Sequence, residues 1–332
     1  MPTTLLKADA EPKTVRRFNL WHAFAPTGDM GDAVFRLVLG FCALLLVMIL
    51  AVMIGSIFYK SLPSIHKFGF GFLSSSSWNP VRGVFGAAPF IYGTVVSSII
   101  ALIISIPLSI GIAVFLVEQA PKKIAQPISF MVELLAAIPS VVLGLWGIFV
   151  LAPLIREYIG PFLNKSLGWL PLFQGNITGT GLLTGGLILA IMVTPIISSV
   201  IRDVLSVVPV SQREAALALG ATKWETTLVV LANGGPGIAG AIILGLGRAI
   251  GETMAVTMVI GNRAEISSSL FEPSYTIASV IANEFTEATD VLYLSSLIEL
   301  GLILFLVTFI INGFARALVW SVTRRTGGVA SA

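Results

Sequence analysis

Cysteine and histidine are nearly missing from these 332 residues: there is one cysteine, Cys42, and two histidines, His22 and His66. A structural zinc site takes about four such ligands and a disulfide needs two cysteines, so metal and redox chemistry are excluded. Charge is scarce as well, at 11% of residues. No G-x-x-x-x-G-K-[ST] phosphate loop occurs anywhere, so any ATP hydrolysis would belong to a partner. A histidine cluster, a nucleophile motif and a metal set are all lacking, which argues against a membrane enzyme. No internal repeat stands out. Nothing resembles a cleaved signal, because the polar first ~33 residues precede an apolar run too long for a signal's hydrophobic region.

What the chain has instead is apolar surface. Hydrophobic residues make up 56% of it and mean hydropathy is +0.94, values that identify an all-α polytopic membrane protein. Six stretches reach the ~20 helical residues needed to cross a bilayer. They lie near 34–58, 89–117, 128–151, 181–201, 238–260 and 291–314. The division expected is a tail, 1–33, and a transmembrane domain, 34–332, with a polar loop at 202–236. The first span contains no proline and is expected to face lipid. The next three contain Pro107, Pro139 and Pro195, whose broken backbone bonds need neighbouring helices or water, so these spans belong nearer the interior. Gly247-x-x-x-Gly251 in the fifth span permits close helix approach, at a central interface or in ordinary packing. Loops at 59–88 and 152–180 are longer than usual connectors and suggest binding or the shaping of an entrance.

A pI of 9.1 could suggest nucleic acid, but the basic residues report topology. Lys7, Lys13, Arg16, Arg17, Arg36, Lys122, Lys123, Arg202, Arg213, Lys223, Arg316, Arg324 and Arg325 fall on one side, 13 of the 20. Lys60, Lys67, Arg82, Arg156, Lys165 and Arg263 fall on the other, and Arg248 lies inside a span. By the positive-inside rule both termini and the 202–236 loop are cytoplasmic. Phe18, Trp21 and Phe24 recur beside Arg16 and Arg17, consistent either with a helix lying on the membrane surface or with a disordered tail.

Within the polar loop stands Ser211-Gln-Arg-Glu-Ala-Ala-Leu-Ala-Leu-Gly-Ala-Thr-Lys-Trp-Glu225. Ser211 with Glu214 has capping-box spacing, Ala215, Ala216 and Ala218 favour a helix, and Gly220 supplies a stop. Thr222 with Glu225 is a second box. The expectation is two short helices bent at Gly220, with Glu214, Ala215, Ala216, Gly220 and Trp224 on a docking handle suited to a groove on another protein. An ordinary loop with chance caps is the plain alternative.

Arg248 and Glu252 stand four residues apart in the fifth span and are expected on one helical face. An unpaired charge at membrane depth costs about 2.5–3.5 kcal/mol on insertion scales, so the pair serves either to make the helix insertable or to border an anion's route. On the second reading Arg248 offers a forked donor to oxyanion oxygens, and Glu252 tempers the attraction so that the ion can leave. Thr253 and Thr257 could add hydroxyl donors along that route, or bond back to their own helix. Glu133 and Glu299 inside spans read as snorkelling or locally bonded in preference to touching substrate, and Asn262 and Arg263 as solvated loop residues or an exit lining.

Glu214-Ala-Ala, three residues, then Gly220 resembles the EAA motif of ABC-transporter permeases, although the usual apolar-x-Leu-Pro ending is replaced by Val230-Leu-Ala-Asn233 with proline only at Pro236. From about Phe35 onward the chain resembles the PstC family of phosphate permeases. Trp78-Asn79-Pro80, Phe85-Gly86, Pro89, Gly93-Thr94, Leu170-Pro171-Leu-Phe173, Gly179-Thr-Gly181, Ile191-Met-Val-Thr-Pro195-Ile-Ile and Gly245-Leu-Gly247-Arg248-Ala-Ile-Gly251-Glu252-Thr253-Met254-Ala255-Val256 carry the likeness. Met254-Ala255 after Glu-Thr favours PstC over the sister PstA, which has Ala-Pro there. The resemblance implies a type I ABC importer permease fold in a bacterial inner membrane. It also implies inorganic phosphate as substrate and three partners: the homologous permease PstA, two copies of the ATPase PstB and the periplasmic binding protein PstS. The chain itself would hold no cofactor, with ATP and Mg bound by the ATPase. Another oxyanion, sulfate or molybdate, and an ion-coupled secondary transporter are the rival readings.

Overall fold

The computed structural model describes residues 30–327, with side chains over 31–317. Expectations on Lys7, Lys13, Arg16, Arg17, Phe18, Trp21, His22 and Phe24, and on the side chains of Arg324 and Arg325, lie outside the described residues. Among those described the fold is all-α, with two isolated β-bridges, Asn79 with Val84 and Gly261 with Ser274. Among the described residues six helices are long and apolar enough to cross a membrane, as the composition predicts.

The chain divides into two units, Met1–Ser56 and Ile57–Ala332. In the first, the described residues are turns of α1 (Met30–Phe68), where Val34, Leu37, Leu44 and Leu46 are all exposed. A helix apolar on every side suits contact with lipid. It runs ten residues past the expected end and so includes Pro63 after all.

The second unit holds α2 (Ala88–Gln119), α3 (Lys122–Ala137), α4 (Ser140–Leu167), α5 (Leu182–Ser206), α6 (Val210–Ala218), α7 (Lys223–Ile250), α8 (Met254–Val259), α9 (Ile277–Glu284) and α10 (Val291–Gly327). Two expected spans are redrawn. The third, placed at 128–151, is cut at Pro139: Ile138 before it is extended at ψ 127°, and α3 and α4 are separate helices. Proline's ring forbids the helical conformation to its predecessor, so the sequence carried the break. The fifth, placed at 238–260, begins at Lys223 and stops at Ile250. The loop expected at 152–180 is helical as far as Leu167, through turns of π geometry at Gly147–Leu151 and Ile155–Ile159.

The centre of this unit is α5. Of its most apolar stretch 72% is buried, against 22% for α7. The main-chain N–H groups at its start have no intrahelical partners, and the end of α8 and the loop after it supply them: Gly181 donates to the Val259 carbonyl (3.0 Å), Leu182 to Glu272 (3.1 Å) and Leu183 to Leu270 (2.8 Å). Near Pro195, which can donate no backbone bond, Ser109 of α2 reaches the Thr194 carbonyl at 3.0 Å. α7 lies on α5 through Gly237 and Gly245; a Cβ on Gly245 would sit 2.5 Å from Ile197 Cδ1 and one on Gly237 2.6 Å from Val204 Cγ1. Ordinary packing within the chain does not account for Gly247-x-x-x-Gly251: Gly247 has no neighbour within 4 Å of where its Cβ would stand.

On the side opposite Glu214, α2 meets the segment before α9. Thr94 Oγ1 accepts from the Ile277 N–H at 3.0 Å, and a Cβ on Gly93 would overlap the Tyr275 carbonyl. Because backbone cannot move aside as a side-chain tip can, Gly93→Ala should cost about 1–3 kcal/mol and lower the melting temperature in detergent. An unchanged melt would show that the contact is loose. Trp78 packs edge-on against Phe85 and Phe90, both at 4.8 Å between centroids, and its indole N–H donates to Glu284 at 2.8 Å. Tyr293 donates to the same oxygen at 2.6 Å, so one carboxylate ties the 59–88 segment to α9 and α10. Burial among these rings pushes the Tyr275 phenol up to about 12.

Candidate functional site: a docking helix and a broken membrane helix

The polar segment forms α6, but Ser211 does not cap it. The helix starts at Val210 behind Pro209, without a side-chain cap, since proline's fixed φ already sets the first turn. Ala216 is buried, whereas Glu214, Ala215, Leu217, Leu219, Gly220 and Trp224 are exposed. Leu219 is 90% and Trp224 62% exposed, and Val207, Val210 and Leu217 are exposed beside them, an apolar surface of the kind that marks interaction sites.

Gly220 closes α6 as expected. Its φ is +85°, its N–H donates to the Leu217 carbonyl at 2.9 Å, and Ala221 donates to Ala216 at 3.1 Å. These two bonds are a Schellman stop, which needs the left-handed conformation glycine accepts freely. The second box is present too: Thr222 Oγ1 accepts from the Glu225 N–H at 3.3 Å, while Glu225 Oε2 accepts from the Thr222 N–H at 2.7 Å. The element it starts is α7 itself, so the expected pair of short helices is one short helix joined by Gly220 to a membrane helix.

The second region is the end of α7. Glu252 lies beyond the helix, which stops at Ile250; the expected shared face is therefore a helix end and the turn after it. The two charges still meet, Arg248 Nη2 to Glu252 Oε2 at 3.2 Å. Glu252 Oε1 also accepts the Ala255 N–H at 3.4 Å, so the carboxylate caps α8 while pairing with the arginine. The partners differ in exposure: the Glu252 side chain is 4% exposed and that of Arg248 48%. Arg248 borders an open groove of about 470 Å3, lined with Ile196, Ile243, Leu244, Gly247 and Asn312. A second hollow of about 620 Å3 adjoins it, sharing Ile243 and Asn312 and reaching Arg316. The helix break itself, at 251–253, follows the Arg248 end of that groove by three residues.

Thr253 is partly buried in the turn, and its hydroxyl donates to the Gly251 carbonyl at 3.4 Å; Thr257 donates to Thr253 at 2.6 Å, the local bonding expected as one reading. Arg263 pairs with Glu265 at 2.9 Å on an exposed loop, and Asn262 donates to Thr257 at 2.8 Å from a positive φ of 51°. Glu133 pairs with Arg202 at 3.0 Å, and Glu299 is buried with one oxygen unpartnered. No cluster of His, Cys, Asp and Glu suited to a metal occurs among the described residues. Sequence reasoning missed Glu118, Arg213 and Glu284, whose partners are 95, 95 and 206 residues away in the chain. No periodic signal links residues so far apart.

Residues 105–324 match the family described as "Binding-protein-dependent transport system inner membrane component". The chain is 47% identical over 319 residues to the phosphate transport system permease protein PstC of Mesorhizobium japonicum, covering 95% of this chain and 94% of that one. It is 46% identical to the protein of the same name from Pasteurella multocida, over 89% of this chain and 94% of the relative. A solved structure of the MetNI methionine ABC transporter, inward facing, aligns at a TM-score of 0.47 and 21% identity, over 72% of this chain and 96% of that one. Six apolar helices, the family match and near-complete alignment to these permeases lead to one assignment: the chain belongs to the binding-protein-dependent transport system inner membrane components, in their PstC phosphate-permease group.

Proposed function

We propose that this chain is the membrane-spanning subunit of an ATP-driven importer of inorganic phosphate and forms half of the translocation pathway. It pairs with a homologous PstA permease, stands on two PstB ATPases that bind the ATP and Mg, and receives phosphate from PstS. Both termini and α6 face the cytoplasm of a bacterial cell, and the protein lies in the inner membrane. The positions of the basic residues support that orientation.

The observation that carries the reading is the unequal exposure of the Arg248–Glu252 pair. A pair that only made a helix insertable would bury both charges together. Here the carboxylate is enclosed, fixed by α8 as well as by the arginine, while the guanidinium borders an open groove. A guanidinium has five N–H donors, and one ion pair does not consume them, so a phosphate oxygen can be held by the remainder. Glu252 beside it prevents the anion from being held too tightly to pass. Glu214, Gly220 and Trp224 form the surface that the ATPase grips, with Ala215 and Ala216 keeping that helix slim.

The test is uptake of labelled phosphate by the whole complex in vesicles, with ATP inside the cell-equivalent compartment and unlabelled oxyanions as competitors. Competition by phosphate alone, dependent on ATP, is the expected result. Competition by sulfate or molybdate would reassign the substrate, and uptake driven by an ion gradient without ATP would overturn the reading.

A further inference from the structure

The α6 helix is tied to the membrane helices by a side chain outside the Glu214–Gly220 pattern. Arg213 Nη2 lies 2.7 Å and Nε 3.1 Å from Glu118 Oε1, a forked contact onto the last turns of α2. The same guanidinium donates from Nη1 to the Val208 carbonyl at 2.7 Å and from Nη2 to the Leu205 carbonyl at 3.1 Å, the open end of α5. Both side chains are largely enclosed, 19% and 12% exposed. Glu118 stands in a turn of π geometry, Phe115–Gln119, that ends α2 just before Pro121. One planar fork therefore joins three elements: α6, the end of α5 and the end of α2.

Those elements lead to the broken helix. α2 and α5 interlock where Ser109 meets Thr194 and where a Cβ on Gly186 would lie 2.5 Å from Ile100. α5 in turn carries α7 on Ile197 and Val193, three residues before Arg248 at Gly245. The covalent route from α6 leads instead through the Gly220 turn, at φ +85°, to α7. That turn joins α6 to α7 alone, so the direct path from α6 to the ends of α2 and α5 is the one made by the Arg213 side chain.

We propose that Arg213 and Glu118 are positioning residues that form the strut through which motion of α6 reaches α2 and α5, so that losing it uncouples ATP hydrolysis from phosphate passage. This rests on the reading above, in which α6 engages the ATPase. Lysine could not replace the arginine, because a point charge cannot satisfy a carboxylate and two carbonyls in one plane. The pair Arg202–Glu133 provides a contrast: it is 3.0 Å long, but Glu133 is 53% exposed, and exposed pairs contribute little.

The experiment measures phosphate transported per ATP hydrolysed by the whole complex in vesicles. Glu118→Gln and Arg213→Lys should still co-purify with the ATPase and hydrolyse ATP, with the ratio down at least ~10-fold; Glu133→Gln should leave it unchanged. In a Cys42→Ser background, which removes the one native thiol, Glu118→Cys with Arg213→Cys should show the same low ratio. A short bifunctional maleimide bridging the two should restore it. A normal ratio in the assembled variants overturns the proposal, as does a ratio that bridging leaves unrestored. Loss of assembly in both Glu118→Gln and the double cysteine chain also overturns it, by showing that the pair only builds the fold. An unsubstituted complex that takes up no phosphate would instead remove the functional reading itself.

Discussion

Arg248→Leu is expected to reduce phosphate uptake at least about 100-fold while the complex still assembles. Hydrogen bonds to ionised groups are worth about 1.5–3 kcal/mol each, and 1.4 kcal/mol is tenfold, so two lost contacts suffice. The single substitution strands Glu252, buried at 4% side-chain exposure, without its partner. The control is Arg248→Leu with Glu252→Gln, which removes both charges and keeps an acceptor for the Ala255 N–H. That double variant should assemble fully and still fail to transport. Near-normal uptake by it would reduce the pair to a device for inserting the helix. Glu252→Gln alone retains the arginine and should lose less, within ~10-fold, as slower release rather than failed capture.

Gly220→Val should separate the permease from its ATPase. The residue sits at φ +85°, and no atom lies within 4 Å of where a Cβ would stand, so the requirement is one of conformation and not of space. The left-handed region costs an ordinary residue about 1–2 kcal/mol and a β-branched one more, and the Schellman bonds at 2.9 and 3.1 Å would be lost with it. α6 would then leave α7 at another angle and misdirect Leu219 and Trp224. Co-purification of the ATPase and uptake should both fall more than ~10-fold, whereas Gly220→Asn, which tolerates this conformation, should lose far less. Equal behaviour of the two variants would show that the bend is unimportant.

These two sites were legible to different degrees. Gly220 and the Thr222–Glu225 box follow from local backbone chemistry, which acts over three to five residues and is written in order along the chain. The cap assigned to Ser211 failed for the same kind of reason: Pro209, two residues earlier, fixes a φ that lets the helix begin two residues sooner. For the third span the proline signal was correct, but apolar composition outweighed it; Pro139 ends one helix instead of bending another. Composition identifies what tolerates lipid, not where a helix stops.

The sequence alone determined six apolar helices, the residues of the Gly220 stop and the pairing of Arg248 with Glu252, because hydropathy, capping and close spacing are local quantities. Only the tertiary structure decided that α5 is the core, that α7 breaks after Ile250 so that one carboxylate serves both a cap and an ion pair, and that Arg213 finds Glu118. Those outcomes depend on which surfaces are buried together, and burial is a property of the packed helices that no single stretch of the chain contains.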